Sequence, residues 1–371
     1  MKFQRCFYLI LISLLPLITS AQAFYTYVCD AANFTNGPWK IVQFDQNGEN
    51  PIDFIVDELS WPQDILFLED QGVVLISNLS SGRITKYNSS SGIYIEDFAL
   101  VQGGPTRMKI GEDGLLYVIQ WSNSINKVLR FQLDGTYVDE FTSSGVAQSI
   151  GIDWDSQGNV YVSSFQGASI RKFDSEGNDQ GLFISSNLSG PTNIEIKEDT
   201  MYVLDWNAGK LVRFNMTDGS FIDDFISVLT NPEGLAFMPN GDLLIGDNAL
   251  DAARRFDELG NDLGSYTSGG DLSTPNAVVL RNAIFVSNEE LSLNDEFVSP
   301  TIGDSFTFNI ESISQISNLY VYSIAGQMID TIRVDDLLNW TPDYLAEGSY
   351  LILGTAENGF RLSQKIVISR R

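Results

Sequence analysis

The chain has 371 residues, with 48 acidic against 22 basic side chains, a formal net charge of −26 and no histidine. The missing imidazole excludes Ser-His-Asp and Cys-His catalysis and any His-ligated zinc or iron centre. The acidic excess argues against nucleic acid as a partner, because phosphate binding needs clustered Lys and Arg; it suits solubility, cation affinity or simply a saline, extracellular setting.

In chain order, the first element is an export signal. Met1-Lys2 and Arg5 form a positive start, Phe7 to Ile18 is a short apolar run broken by Pro16, and Ala21-Gln22-Ala23 is a small-x-small cleavage site. Residues 1–23 are therefore expected to be a secretory signal peptide cut after Ala23. Residues 24–36 read as a lead-in segment. They hold Cys29, the single cysteine of the mature chain, which has no partner for an intramolecular disulfide. No other apolar run is long enough to span a bilayer.

From residue 37 to 289 a unit recurs. Its clearest copy is Gly190 to Phe225: a Pro-containing turn, then four short β-type runs separated by polar turns. The basic-aromatic pair of the third run appears as Lys86-Tyr87, Arg130-Phe131, Lys172-Phe173, Arg213-Phe214 and Arg255-Phe256, with Gln43-Phe44 before them. Repeats of this length with four strands each predict propeller blades. Lys40 to Phe54 supplies the last two strands of a blade and Thr274 to Asn288 the first two. Five whole blades and one composite blade then make a closed, all-β six-bladed ring without unpaired edges.

Pro232-Glu233-Gly234-Leu235-Ala236 followed by Asn240-Gly241-Asp242-Leu243, with weaker copies at Gly114 to Val118 and Gly158 to Val162, resembles the NHL-repeat and TolB-like six-bladed propellers. The resemblance implies a fold and leaves the activity open, since this fold carries many functions.

One face of such a ring gathers the turns entering each first strand and the loops after each second strand. It carries Trp121, Phe165 and Trp206 on consecutive blades, Trp61 in an adjoining turn, and Asn193. Flat rings beside amides and carboxylates suit a glycan, peptide or protein ligand. The alternative is that the rings wedge between blades and the Asp and Asn residues cap their own turns. Asp64, Asn193, Asp205, Glu233, Asp247 and Asn276 are the oxygen donors on which a calcium ion at the channel mouth would draw. The lactonase branch of similar propellers uses a Glu/Asn/Asp calcium site, although that branch's longer motifs are not matched here. The Asp-x-x-Gly segments at Asp45, Asp174 and Asp257 are read as hairpin turns, not metal loops.

Residues 290–300 read as a linker. Residues 301–371 carry five strand-like runs, Ser305 to Ile310, Leu319 to Ser323, Gln327 to Val334, Ser349 to Thr355 and Arg361 to Ile368, which predict a small Ig-like β-sandwich. Leu319 to Gln327, Leu345 to Ile352, Gln364 to Ile368 and the basic end Arg370-Arg371 resemble the type A C-terminal sorting domain of the bacterial type IX secretion system; Val298-Ser299-Pro300-Thr301 stands where that family has a Tyr-Pro-Asn-Pro-like opening. The resemblance implies export to the surface or medium of a Bacteroidetes-type cell, with the secretion machinery as a partner through residues 301–371. Three functions stay open: a non-catalytic binding propeller, a calcium-dependent lactonase-like hydrolase, and a structural surface component.

Overall fold

Short alternating runs between Gly, Asn and Asp turns give six four-stranded antiparallel sheets. The computed structural model describes residues 24–248, 250–282, 297–309, 316–323, 328–332, 339–356 and 361–370. The chain opens with β1 (Phe24–Asp30), β2 (Lys40–Phe44) and β3 (Ile52–Ile55). Blade one is β4 (Pro62–Leu68), β5 (Val73–Asn78), β6 (Arg83–Asn88) and β7 (Tyr94–Leu100); blade two is β8 (Pro105–Ile110), β9 (Leu116–Gln120), β10 (Val128–Phe131) and β11 (Tyr137–Glu140). Blade three is β12 (Ile152–Trp154), β13 (Val160–Ser164), β14 (Ser169–Phe173) and β15 (Asp179–Ile184); blade four is β16 (Pro191–Lys197), β17 (Thr200–Asp205), β18 (Lys210–Asn215) and β19 (Phe221–Ile226). Blade five is β20 (Leu235–Phe237), β21 (Leu243–Asp247), β22 (Ala252–Phe256) and β23 (Asp262–Ser265), and β24 (Pro275–Asn282) returns to the start.

The ring closes, but by a different division of strands from the one the repeats predict. The sixth sheet has the order β24-β1-β2-β3, one strand from the far end and three from the beginning. Phe24–Asp30 is therefore the second strand of the composite blade, not a lead-in. It pairs with β24 from Phe24↔Asn282 to Asp30↔Pro275 and with β2 from Thr26↔Phe44 to Asp30↔Lys40. The predicted second strand up to Asn288, the expected signal peptide with its expected cut after Ala23 and most of the expected 290–300 linker lie outside the described residues. The composite blade packs on both neighbours: Tyr27, Ile41 and Ile55 join Ile65, Val74 and Tyr87 of blade one, while Val28, Val42 and Phe44 join Leu244, Ala253 and Tyr266 of blade five.

The repeated motif has a packing reason. The third-strand aromatics Phe44, Tyr87, Phe131, Phe173, Phe214 and Phe256 are all buried. The basic residue before them points the other way; Arg130 lies over Phe141 and Arg213 over Phe225, the aromatics that end the fourth strands. The Asp-x-x-Gly segments are turns: Asp174 Oδ1 accepts from the main-chain N–H of Glu176 and Asn178 at 3.0 and 2.9 Å. Their glycines also seat each blade on the one before. A Cβ at Gly177, whose φ is +83°, would come 2.0 Å from the carbonyl oxygen of Phe141.

The C-terminal residues form a second all-β unit. β25 (Val298–Ser299), which falls within the predicted linker, pairs with β27 (Thr307–Phe308); β26 (Ile302–Gly303), β28 (Ile316–Ser323), β29 (Met328–Ile332), β30 (Gly348–Ala356) and β31 (Arg361–Ile368) make a sheet of order β26-β31-β30-β28-β29. Both sheets contribute to one core, with Val298, Phe306 and Phe308 against Leu319, Val321, Ile352 and Ile366. The unit is all-β, as the sequence predicts.

Candidate functional site

The propeller axis is built from the starts of the six inner strands. Each begins with a turn that fixes the direction of the next two or three side chains, and in five blades that turn holds Pro62, Pro105, Pro191, Pro232 or Pro275. Two residues after Pro105 comes Arg107, whose side chain is buried. Its guanidinium reaches from blade two to three other blades. Nη1 donates to the main-chain oxygen of Gln63, and Nη2 donates to those of Glu233 at 3.3 Å and Asn276 at 3.1 Å. Asp64 Oδ1 and Glu233 Oε1 each lie 3.7 Å from the guanidinium.

Asp64 also accepts from the Met108 N–H at 2.7 Å, which ties blade one to blade two. Burial raises its pKa, with Arg107 pulling the other way. Burial likewise pushes Glu233 up to about 7 against the attraction of Arg107, with Asp64 adding to the rise. Gln63 completes the network in the amide orientation that satisfies its neighbours: its nitrogen donates to Glu233 Oε1 at 2.9 Å, and its oxygen accepts from Trp61 Nε1 at 2.8 Å and Asn276 Nδ2 at 2.7 Å. The axial charges thus connect directly to a rim aromatic.

The calcium donors expected from the sequence divide into two sets. Asp64, Glu233 and Asn276 do converge, but around the Arg107 guanidinium. Asp205 and Asp247 do not face the axis. Asp205 accepts from Ser189 N–H at 2.6 Å, Ser189 O–H at 2.9 Å and Ala208 N–H at 3.0 Å, and so latches its own turn. Asp247 pairs with Arg254 at 2.8 Å. The same latch recurs at the end of other second strands, with Asp30 accepting from Ser273 and Thr274 and Asn78 from Ser60. Asn193 is half-buried on β16, two residues after Pro191 as Arg107 is after Pro105. A hard divalent cation needs six or more oxygens without a competing positive charge. Here the converging oxygens already face a guanidinium, and among the described residues no group of three or more His, Cys, Asp or Glu side chains is placed to hold a metal. The residues present do not fit a calcium site.

The rim aromatics do gather. Trp121 and Phe165, from blades two and three, have ring centroids 5.4 Å apart. Trp61 and Trp206 are bridged by a residue that the sequence reading passed over, Phe34, at 5.3 and 6.0 Å. Phe34 lies in the 31–39 strap between β1 and β2, with φ +70°, an uncommon conformation for a phenylalanine. All five rings are half-buried. Phe165 also packs toward Gly190 of the next blade, so part of the wedge account holds as well. The strap escaped notice because β1 was not recognised as a second strand. Asp30 at its end, matching Asp205 and Asp247, was the signal that could have revealed it.

Further along the inner strands is a second charged cluster that the turn-by-turn reading did not reach. Lys109 Nζ lies 2.5 Å from Asp153 Oδ1 and 3.7 Å from Glu195 Oε2, while Asp153 Oδ2 accepts from the Ile196 N–H at 2.6 Å. Burial pushes Glu195 up to about 7, opposed by Lys109. Cys29 is fully buried, and burial raises its thiol pKa well above the ordinary value.

No protein-family profile matches the chain, and no curated protein matches it. Among solved structures it is similar to a chain of a Nidogen/Laminin complex (13% identity, TM-score 0.58, covering 70% of this chain and 98% of that one). It is also similar to a protein of unknown function from Bacteroides caccae (15%, 0.57, 70% and 99%). A third is a gluconolactonase from Xanthomonas campestris (15%, 0.50, 69% and 88%). At such identities the likeness is one of fold alone, and that fold is the six-bladed β-propeller.

Proposed function

We propose that this protein is a secreted, non-catalytic binding propeller whose turn face, built on Phe34, Trp61, Trp121, Phe165 and Trp206, docks a partner protein. The observation that carries this reading is the contrast on one face: five half-buried rings at the rim, and axial acids that already face the Arg107 guanidinium. Aromatic rings in loops supply large contact area at low entropic cost, which suits recognition. A chain of a Nidogen/Laminin complex has this fold, so the fold is compatible with a protein partner.

Peptide and glycan arrays probed with the wild-type propeller and with Trp121→Ala plus Trp206→Ala provide the test. Peptide binding lost in the double variant is expected; binding confined to glycans would move the ligand class. The competing reading, a lactonase-like hydrolase, draws on the convergence of Asp64, Glu233 and Asn276. Lactone turnover abolished by chelation and by Glu233→Gln would replace the binding reading with that one.

For export, the reading is a signal peptide at 1–23 and a type IX address at 301–371, with surface display or release. Support comes from the sequence motifs, whose alternating apolar residues Leu319, Val321, Tyr350, Ile352, Ile366 and Ile368 all enter the sandwich core. Residues 297–371 fused to a signal-peptide-bearing reporter, in a cell with this secretion system, should carry it to the surface or medium. Retention in the periplasm would remove the export reading.

A further inference from the structure

Around the axis, the main-chain oxygens at the start of the inner strands need donors, because a break in register just there takes them out of the sheet ladder. In two blades the donor is a serine at the next-to-last position of the preceding blade's second strand. Ser77 Oγ donates to Thr106 O at 2.6 Å, and Ser163 Oγ donates to Thr192 O at 2.8 Å. The equivalent positions in blade two, blade four, blade five and the composite blade are Ile119, Leu204, Gly246 and Cys29. None of these supplies a hydroxyl, and Gly246 has no room for one, since a Cβ there would lie 2.4 Å from Pro275 O. The carbonyls left without a serine by Leu204, Gly246 and Cys29 are those of Glu233, Asn276 and Gln63, the three that Arg107 caps, whereas the blade-three carbonyl that follows Ile119 is not among the acceptors of Arg107.

We propose that Arg107 is the resident cation of the propeller axis: one guanidinium takes the place of three missing hydroxyls, and by filling the oxygen cage of Gln63, Glu233, Asn276 and Asp64 it makes ring closure independent of any divalent metal. Three converging carbonyls and two carboxylates within 3.7 Å create a site of strongly negative potential. Some cation has to sit there, and the chain carries its own. A planar fork with five donors matches several carbonyls in a way that a point charge on lysine does not. The proposal is separate from the binding reading, which concerns the rim rings and stands or falls with the Trp121 and Trp206 variants.

The experiment is thermal unfolding of the full-length mature protein. Wild-type Tm should be unmoved by EDTA or millimolar calcium. Arg107→Ala should unfold roughly 10 °C lower, because two carboxylates and three carbonyls lose their common partner. Millimolar methylguanidinium or calcium should restore part of that loss, and so should adding Cys29→Ser, which supplies a hydroxyl beside Gln63 O. A wild-type Tm that falls on chelation overturns the proposal. So does an Arg107→Ala protein as stable as wild type, or one whose loss none of the three treatments reduces. Should Arg107→Ala not fold, Arg107→Lys serves instead: a smaller loss without response to calcium supports a resident cation, and strong stabilisation by calcium overturns it.

Discussion

Phe34 and Trp206 meet edge to face with centroids 6.0 Å apart, although one ring belongs to the composite blade and the other to blade four. The strap that carries Phe34 thus crosses part of the face and partly screens two of the six tryptophans. Phe34→Ala should raise acrylamide quenching of tryptophan fluorescence while moving Tm by only a few degrees, because the ring is half-buried and its left-handed backbone is no easier for alanine. Unchanged quenching would mean that the strap does not shield the indoles.

Glu233 gives a pH signature. Its folded pKa of about 7 lies above the ordinary 4.5, so its contribution is fully present below about pH 4.5 and is lost as pH rises through 7. Measured by urea unfolding, the stability of Glu233→Gln relative to wild type should therefore increase with pH across that window, by up to about 3 kcal/mol, and level off above it. A flat difference would show that Arg107 holds this carboxylate ionised throughout.

Thr106 links blade two to blade three by donating to Ser149 O at 2.7 Å from a fully buried hydroxyl. Thr106→Val keeps the shape and removes the donor, leaving a buried carbonyl unsatisfied, and should cost about 1–3 kcal/mol. A loss below about 0.5 kcal/mol would mean that water or another group takes over.

Gly177→Ala should be more severe, about 3 kcal/mol or beyond, because it combines a positive φ with a contact on Phe141 O that backbone cannot yield cheaply. Gly264→Ala is the control: its φ is +89° but nothing lies within 4 Å of a Cβ there, so only the conformational term remains. Equal losses in the two variants would exclude blade seating as the reason for Gly177.

Much of this architecture was legible in the chain itself. The Arg-Phe and Pro positions are periodic because each has the same neighbour in every blade, so the repeat count and the ring could be read directly. The closing blade was misdivided because Phe24–Asp30 lies outside the periodic spacing, in a stretch next to the expected export signal, where strand character is easily discounted. The site was harder still. Asp64, Glu233 and Asn276 could be placed on one face by counting from their prolines, yet nothing in the spacing says that Arg107 turns inward to meet them. Blades four, five and the composite blade lack a serine at the next-to-last position of the second strand, but so does blade two, and which carbonyls Arg107 reaches is a relation between neighbours in space and not in sequence. Asp205 and Asp247 were misplaced because a turn latch and a metal ligand call for the same side chain.

Phe24 and Asn282 are partners in one ladder and stand 258 positions apart (282 − 24). The strand begun first is flanked on its inner side by the one made last, so the disc has no finished state until synthesis of the array is complete. Every blade before that must persist with one flank open, and folding is expected to be slow, as for any structure held shut by its most distant contact. Under the export proposed above, such lateness would be useful: it would leave the polypeptide threadable until both ends of the ring have arrived on the same side.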